Sequence, residues 1–166
     1  KSTDAGKTWQ FIGLRQSEHI GRIRIHPTDP NRVYVAAMGN LWKPNMQRGV
    51  FRSKNGGKTW EKILFESDKA GAIDLILDPN NSRIIYANTW EIKRNGYRMD
   101  SGGPGSKLWQ STDGGDNWKE LTHKPGLPKG VWGISGVAVS PLNSNKIWVI
   151  IENTKGGVYR SDDRGE

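Results

Sequence analysis

Side-chain carboxylates that recur at a fixed distance from a serine and a glycine are the first residues here whose types could do chemistry. Ser2, Asp4 and Gly6 precede Trp9, and Ser53, Asn55 and Gly57 precede Trp60. Ser111, Asp113 and Gly115 precede Trp118, and Ser161, Asp163 and Gly165 repeat the pattern once more. The starts lie 51, 58 and 50 residues apart. Such carboxylates could serve as catalytic acids, as calcium ligands, or as staples of tight turns. An Asp or Asn side chain accepts hydrogen bonds from the backbone of its own turn, and Gly supplies the freedom a tight turn needs. A Trp just after the turn can pack its ring between neighbouring strands. Recurrence of the whole set in every repeat is how structural staples behave, so the turn reading is taken here.

Other chemistry finds less support. The sequence has no Cys, which excludes a disulfide framework and thiolate metal sites. His19, His26 and His123 fall in different repeats without ligand spacing, so no metal and no cofactor is expected. No nucleophile elbow, P-loop or dinucleotide fingerprint is present. The net charge of +8 could attract nucleic acid, anionic lipid or acidic glycans. The Lys and Arg are scattered, however, and no nucleic-acid motif accompanies them, so nucleic acid is not expected as a partner. No run of 18 apolar residues occurs, so no segment reads as a membrane-spanning helix.

The elements that must position these residues follow from a second repeated signature. Ile23-Arg24-Ile25-His26-Pro27 leads to Val33-Tyr34-Val35, Leu75-Ile76-Leu77-Asp78-Pro79 to Ile84-Ile85-Tyr86, and Val137-Ala138-Val139-Ser140-Pro141 to Ile147-Trp148-Val149. Each is an aliphatic run, a turn rich in Pro, Asn, Asp or Ser, and a second run. Every repeat therefore reads as four strands. Strand A covers 21–26, 73–78 and 135–140; strand B covers 32–37, 83–88 and 146–151. Strand C covers 49–52, 107–110 and 157–160, and strand D covers 9–14, 60–65 and 118–121. No stretch has helical periodicity. Four-stranded repeats of this length are the signature of propeller blades. The expectation is an all-β fragment of a β-propeller, with two complete antiparallel blades and parts of two more. Its repeats run over about 1–14, 15–66, 67–122 and 123–166. The sequence opens at Lys1 rather than Met and closes inside a repeat, so it is expected to be an internal piece of a longer chain.

The repeated turns resemble Asp-boxes, the bacterial neuraminidase repeats found in sialidases, xyloglucanases, sortilin-type receptors and photosystem-assembly propellers. Between them, His19-Ile20-Gly21-Arg22-Ile23, Gly39-Asn40-Leu41-Trp42-Lys43-Pro44-Asn45, Gly71-Ala72-Ile73-Asp74-Leu75 and Ser101-Gly102-Gly103-Pro104-Gly105-Ser106 resemble secreted bacterial proteins of sortilin-like or glycosyl-hydrolase-like type. The resemblance implies a secreted, periplasmic or cell-surface location. It also implies a group that contains both enzymes and binders. Sialidases need three arginines for the substrate carboxylate and a Tyr–Glu pair. Arg22 and Arg24 echo their Arg-Ile-Pro motif only superficially, and no such triad assembles.

Propeller geometry places strand A innermost and the Asp-box C–D turns opposite the face where ligands usually bind. That ligand face carries the B–C and D–A loops. The B–C connections vary, from 39–48 to 91–106 to 153–156, and variable loops on a regular scaffold are where function tends to sit. The candidate ligand-binding residues are Arg22, Asp74, Trp90, Arg94, Tyr97 and Arg98. Arg22, Asp74 and Gly136 occupy equivalent strand-A positions near the channel. There Asp74 reads first as the ion-pair partner of Arg22 and second as a weak catalytic candidate. A glycosidase would need two carboxylates about 5–10 Å apart, and the spacing selects no partner for Asp74. The expected function is thus a non-catalytic binding or scaffold propeller, which recognises a protein, peptide or glycan and is completed by the remaining blades of its parent chain. The alternative is a sialidase- or xyloglucanase-like hydrolase with catalytic residues partly outside this piece.

Overall fold

The computed structural model describes all 166 residues. Its strands form three antiparallel sheets in chain order. The first sheet joins β1 (Ile20–Ile25), β2 (Val33–Ala37), β3 (Gly49–Ser53) and β4 (Glu61–Leu64), each paired with the next. The second joins β5 (Ala70–Asp78), β6 (Asn81–Arg94), β8 (Lys107–Ser111) and β9 (Lys119–Glu120), with β7 (Met99–Ser101) paired to the far end of β6. The third joins β10 (Ser135–Val139), β11 (Ile147–Ile151) and β12 (Gly157–Ser161). The only helical element is a three-residue 3-10 turn at Arg15–Ser17. The all-β architecture of propeller blades stands.

Side-chain alternation makes each sheet apolar on both faces, so the sheets must stack side by side. Tyr34, Ala36 and Val50 face the second sheet and meet Leu75, Ile85 and Ala87, with Trp109 and Trp118 packed against the same core. Tyr86, Leu108, Val137 and Val149 form the core between the second and third sheets, closed by the fully buried Trp132. Val35, Ala37 and Phe51 point the other way and pack with Leu14 and Trp60. The inner strands β1, β5 and β10 run next to one another. Glycine allows this approach: a Cβ on Gly21 would lie 2.3 Å from the carbonyl oxygen of Ile73, and one on Gly71 would lie 2.2 Å from that of Met38.

Two expectations about elements need correction. Residues 9–14 form no strand; Gln10 exchanges backbone bonds with Lys1, and the Leu14 carbonyl accepts the Ser17 N–H of the following turn. The connection 91–106, read as a loop, is largely a β-hairpin. β6 runs on to Arg94 and turns back as β7, with Ile92 opposite Ser101 and Arg94 opposite Met99. The Lys, Arg and Asn of this stretch hid its strand character, because both faces of the hairpin tip are solvated and it has no apolar alternation to show.

The repeated turns follow one plan. Each Ser hydroxyl donates to the Asp or Asn two residues on, and accepts the Gly N–H four residues on at 2.7–2.8 Å. Asp4, Asn55 and Asp113 each accept the backbone N–H four residues on at 2.9 Å. The last two turn residues before the bend closes are left-handed, Gly56 and Gly57 at φ 69° and 92° in the second turn. The glycine also makes room for the neighbouring repeat. A Cβ on Gly57 would lie 2.5 Å from Ile12, and one on Gly115 would lie 2.4 Å from Ile63. Tyr34 and Arg52 of the first sheet donate to the Gly114 carbonyl in the second sheet's turn, and Tyr86 of the second to the Arg164 carbonyl in the third's. The turns thus fasten one sheet to the next.

Candidate functional site on the loop face

Opposite the repeated turns, the connections 38–48, 65–69, 91–106, 121–134 and 152–156 gather at one end of the three sheets. The split is fixed by backbone bonds: Gly56 donates to Asn31, Gly114 to Arg83 and Arg164 to Asn145, so the A–B and C–D turns share the other end.

At the inner rim of the loop face lies Asp74. One oxygen accepts Arg22 Nε at 3.0 Å and the Leu75 N–H at 2.9 Å, and the other accepts the Val137 N–H at 3.1 Å. A single carboxylate therefore ties β1, β5 and β10. Irregularities of register between Ile20 and Arg22 and between Ala72 and Asp74 insert an extra residue in each strand and re-aim both side chains. Arg22 and Asp74 line an axial cleft with Ser135, Gly136 and Glu152. Glu152 Oε2 accepts the Ser101 hydroxyl at 2.6 Å and the Ile134 N–H at 2.8 Å. The Ser101 bond, then the Ile134 N–H, hold its carboxyl below the ordinary value.

The hairpin sets the remaining candidates apart from Asp74. Trp90 donates its indole N–H to Ser101 Oγ at 3.1 Å, and so braces the hairpin base onto Glu152. The Arg94 guanidinium lies 5.6 Å from the centroid of the Trp42 ring, across from the first sheet's loop. Tyr97 sits fully exposed at the tip, where Asn95 Oδ1 accepts the N–H groups of Tyr97 and Arg98. Arg98 turns back onto Asp100. None of Trp90, Arg94, Tyr97 and Arg98 lines the axial cleft.

Sequence reasoning missed Arg48, Asn88, Ser101 and Glu152. Arg48 is buried and donates to the carbonyls of Met38, Asn40 and Lys43. Asn88 is buried beside Ser135, to whose hydroxyl it donates at 2.8 Å. A polar residue type gives no sign of burial in sequence. For Glu152 and Ser101 the signal would have been the hairpin itself, which brings them together across 51 residues.

Stacked antiparallel sheets with their first strands innermost define a segment of a β-propeller. Within that class, the chain belongs to the Sortilin-Vps10 family (sortilin, neurotensin receptor 3), which it matches over residues 1–125. It is 31% identical to xyloglucanase Xgh74A of Acetivibrio thermocellus, over 88% of this chain and 19% of the relative. It is 28% identical to a xyloglucanase of a Paenibacillus species, over 97% of this chain and 17% of that protein. Among solved structures it is similar to an ancestral GH74 enzyme, with a TM-score of 0.68 at 19% identity, over 98% of this chain and 20% of the other. The chain thus spans about a fifth of the length of the xyloglucanases it matches. These relatives overturn the expectation of a non-catalytic binding or scaffold propeller. They are hydrolases by name, and the hydrolase alternative fits them better.

Proposed function

We propose that this chain is part of a secreted glycoside hydrolase of xyloglucanase type, and that its loop face forms one wall of the glycan cleft. The observation that carries the reading is similarity to xyloglucanases along nearly the whole chain, at 31% identity over 88% of it. In this reading the piece has a binding share, which the following contacts support. Both oxygens of Asp74 are engaged, by Arg22 and by two backbone N–H groups. The donors to Glu152 hold its carboxyl below the ordinary value, which does not suit a general acid. In this reading the catalytic carboxylates lie partly outside this piece, and the general acid comes from another blade of the parent chain. Tyr97 at the hairpin tip and the Trp42–Arg94 stack offer aromatic faces to sugar rings.

The finer assignments rest on the same support. The four Ser-x-Asp/Asn-x-Gly turns are Asp-boxes, each belonging to one repeat of 1–14, 15–66, 67–122 and 123–166. The source is bacterial, as for the Acetivibrio and Paenibacillus relatives. The location is extracellular, since a polymeric glycan is met outside the cell.

The test is incubation of the purified parent protein with xyloglucan, with reducing ends measured over time. Release of oligosaccharides is expected. A folded parent protein that releases none from xyloglucan or any other glucan overturns the proposal.

A further inference from the structure

A second cleft lies between the first two sheets, away from the axis. Its walls carry Arg48 and Lys43 from the first sheet's loop, and Lys69, Glu91 and Lys93 from the second sheet. Arg48 is 1% exposed, and its three backbone acceptors satisfy donors without neutralising charge. Its Nε is buried without a partner. None of these four cations has a carboxylate oxygen within 4.0 Å, and neither has Arg94 beside them. The one carboxylate lining the cleft, Glu91, has Oε2 turned to the Gly105 N–H at 3.0 Å. Asp68, Glu18 and Glu91 act on the Arg48 charge only from a distance, so the cleft walls carry four cations, none in a direct ion pair, against one lining carboxylate, an imbalance that a bound anion relieves.

The walls are fixed before any ligand arrives. Asn45 donates its N–H to the Asp68 carbonyl and Arg94 to the Leu41 carbonyl, both at 3.0 Å, so the two sheets' loops are joined above the cleft. Half-exposed Trp42, with Arg94 over its ring, stands next to Lys43 at the rim. An aromatic face beside a cationic pocket suits a sugar that bears a charged substituent. The +8 charge of the chain raises the local concentration of such a polymer.

We propose that this inter-sheet cleft binds the anionic group of an acidic glycan, a carboxylate or a sulfate. The proposal rests on the glycan-degrading reading above and extends its ligands from neutral to charged polysaccharide. The test is calorimetric titration of the parent protein with trigalacturonate, with sulfated cellotriose and with a neutral xyloglucan oligosaccharide. It is run on the wild type and on a Lys69→Gln/Lys93→Gln variant, whose exposed side chains leave the core intact. Loss of both charges is expected to weaken the preferred charged oligosaccharide at least roughly ten-fold, and to leave the neutral one within about two-fold. Whichever charged probe binds more tightly identifies the group. Added salt is expected to weaken charged binding in the wild type and much less in the variant. Equal affinity of wild type and variant for both charged probes overturns the proposal, as does an acidic peptide that binds more tightly than either. Because binding is read separately from cleavage, a protein that cuts xyloglucan and ignores charged glycans refutes only this inference.

Discussion

At the scale of single residues, the turn carboxylates are the most informative. The Thr8 hydroxyl and N–H, and then Ser2, lower the Asp4 pKa from 3.8 to about 2. Bonds from Asn117 and Ser111 lower that of Asp113, and a bond from Ser161 that of Asp163. A carboxylate whose folded pKa is depressed stabilises the fold above its unfolded pKa, and the stabilisation is lost as pH falls through the folded value. Stability of the parent protein is therefore expected to be flat above about pH 5 and to drop between about pH 4 and pH 2. The second turn shows how a neutral residue serves the same bonds. Asn55 Oδ1 accepts the Thr59 N–H, and its Nδ2 donates to Thr59 Oγ1 at 2.8 Å. A triple Asp4→Asn, Asp113→Asn and Asp163→Asn variant is expected to stay folded at pH 7 with a shallower acid transition in denaturant titrations. An unchanged acid slope would show that these carboxylates do not govern acid stability. Asp74 calls for a different outcome. Its ties to three strands make Asp74→Asn a stability change of about 1–3 kcal/mol. Turnover per folded molecule is expected to persist, and its loss by orders of magnitude at unchanged melting temperature would make Asp74 a catalytic group.

At the scale of elements, what the sequence disclosed followed from repetition. The A and B strands were legible because aliphatic runs flank an x-Pro turn three times, and the repeated turns because Ser, Asp or Asn, and Gly recur in register. The β6–β7 hairpin occurs once, with charged residues on both faces, so periodicity had nothing to report. The candidate site suffered for the same reason. The Arg22–Asp74 pair was legible from equivalent positions on adjacent inner strands. The Trp90–Ser101–Glu152 chain and buried Arg48 depend on how that hairpin and the first sheet's loop fold back. The turn glycines carry a second constraint that composition conceals. Gly115 sits at φ 95° with Ile63 of the preceding sheet against its Cα. Gly115→Ala is expected to destabilise the parent protein by about 1–3 kcal/mol, from backbone strain and from the displaced Ile63. Restoring stability in a Gly115→Ala/Ile63→Ala pair more than additively would show that the contact and the strain are coupled. Simple additivity of the two losses would confine the glycine's role to its own turn.

At the scale of the whole molecule, the three sheets leave two apolar faces without a neighbour. On the first sheet, Ile23 and Ile25 are exposed at 57% and 61%, beside the half-formed core of Val35, Ala37 and Phe51. On the third, Ile150 and Val158 are exposed at 60% and 70% and sit opposite each other in register. The cores between the sheets use residues from both partners, so each blade is stabilised by the next and the outermost faces receive half of what the middle sheet receives. A propeller resolves this by bringing further blades onto both faces, which also covers the free strand edges. Residues 1–166 produced alone are therefore expected to self-associate through these faces, or to lose the outer sheets while the second sheet stays protected. Light scattering after size-exclusion chromatography, with hydrogen exchange on the same sample, distinguishes the two. Replacing Ile23, Ile25, Ile150 and Val158 with Thr keeps the β propensity and removes most of the exposed apolar surface, so it is expected to shift the population towards monomer. A wild-type segment that runs as a monodisperse monomer, melts cooperatively and protects β1 and β12 as well as β6 would show that the inter-sheet cores and the fastened turns suffice without neighbouring blades.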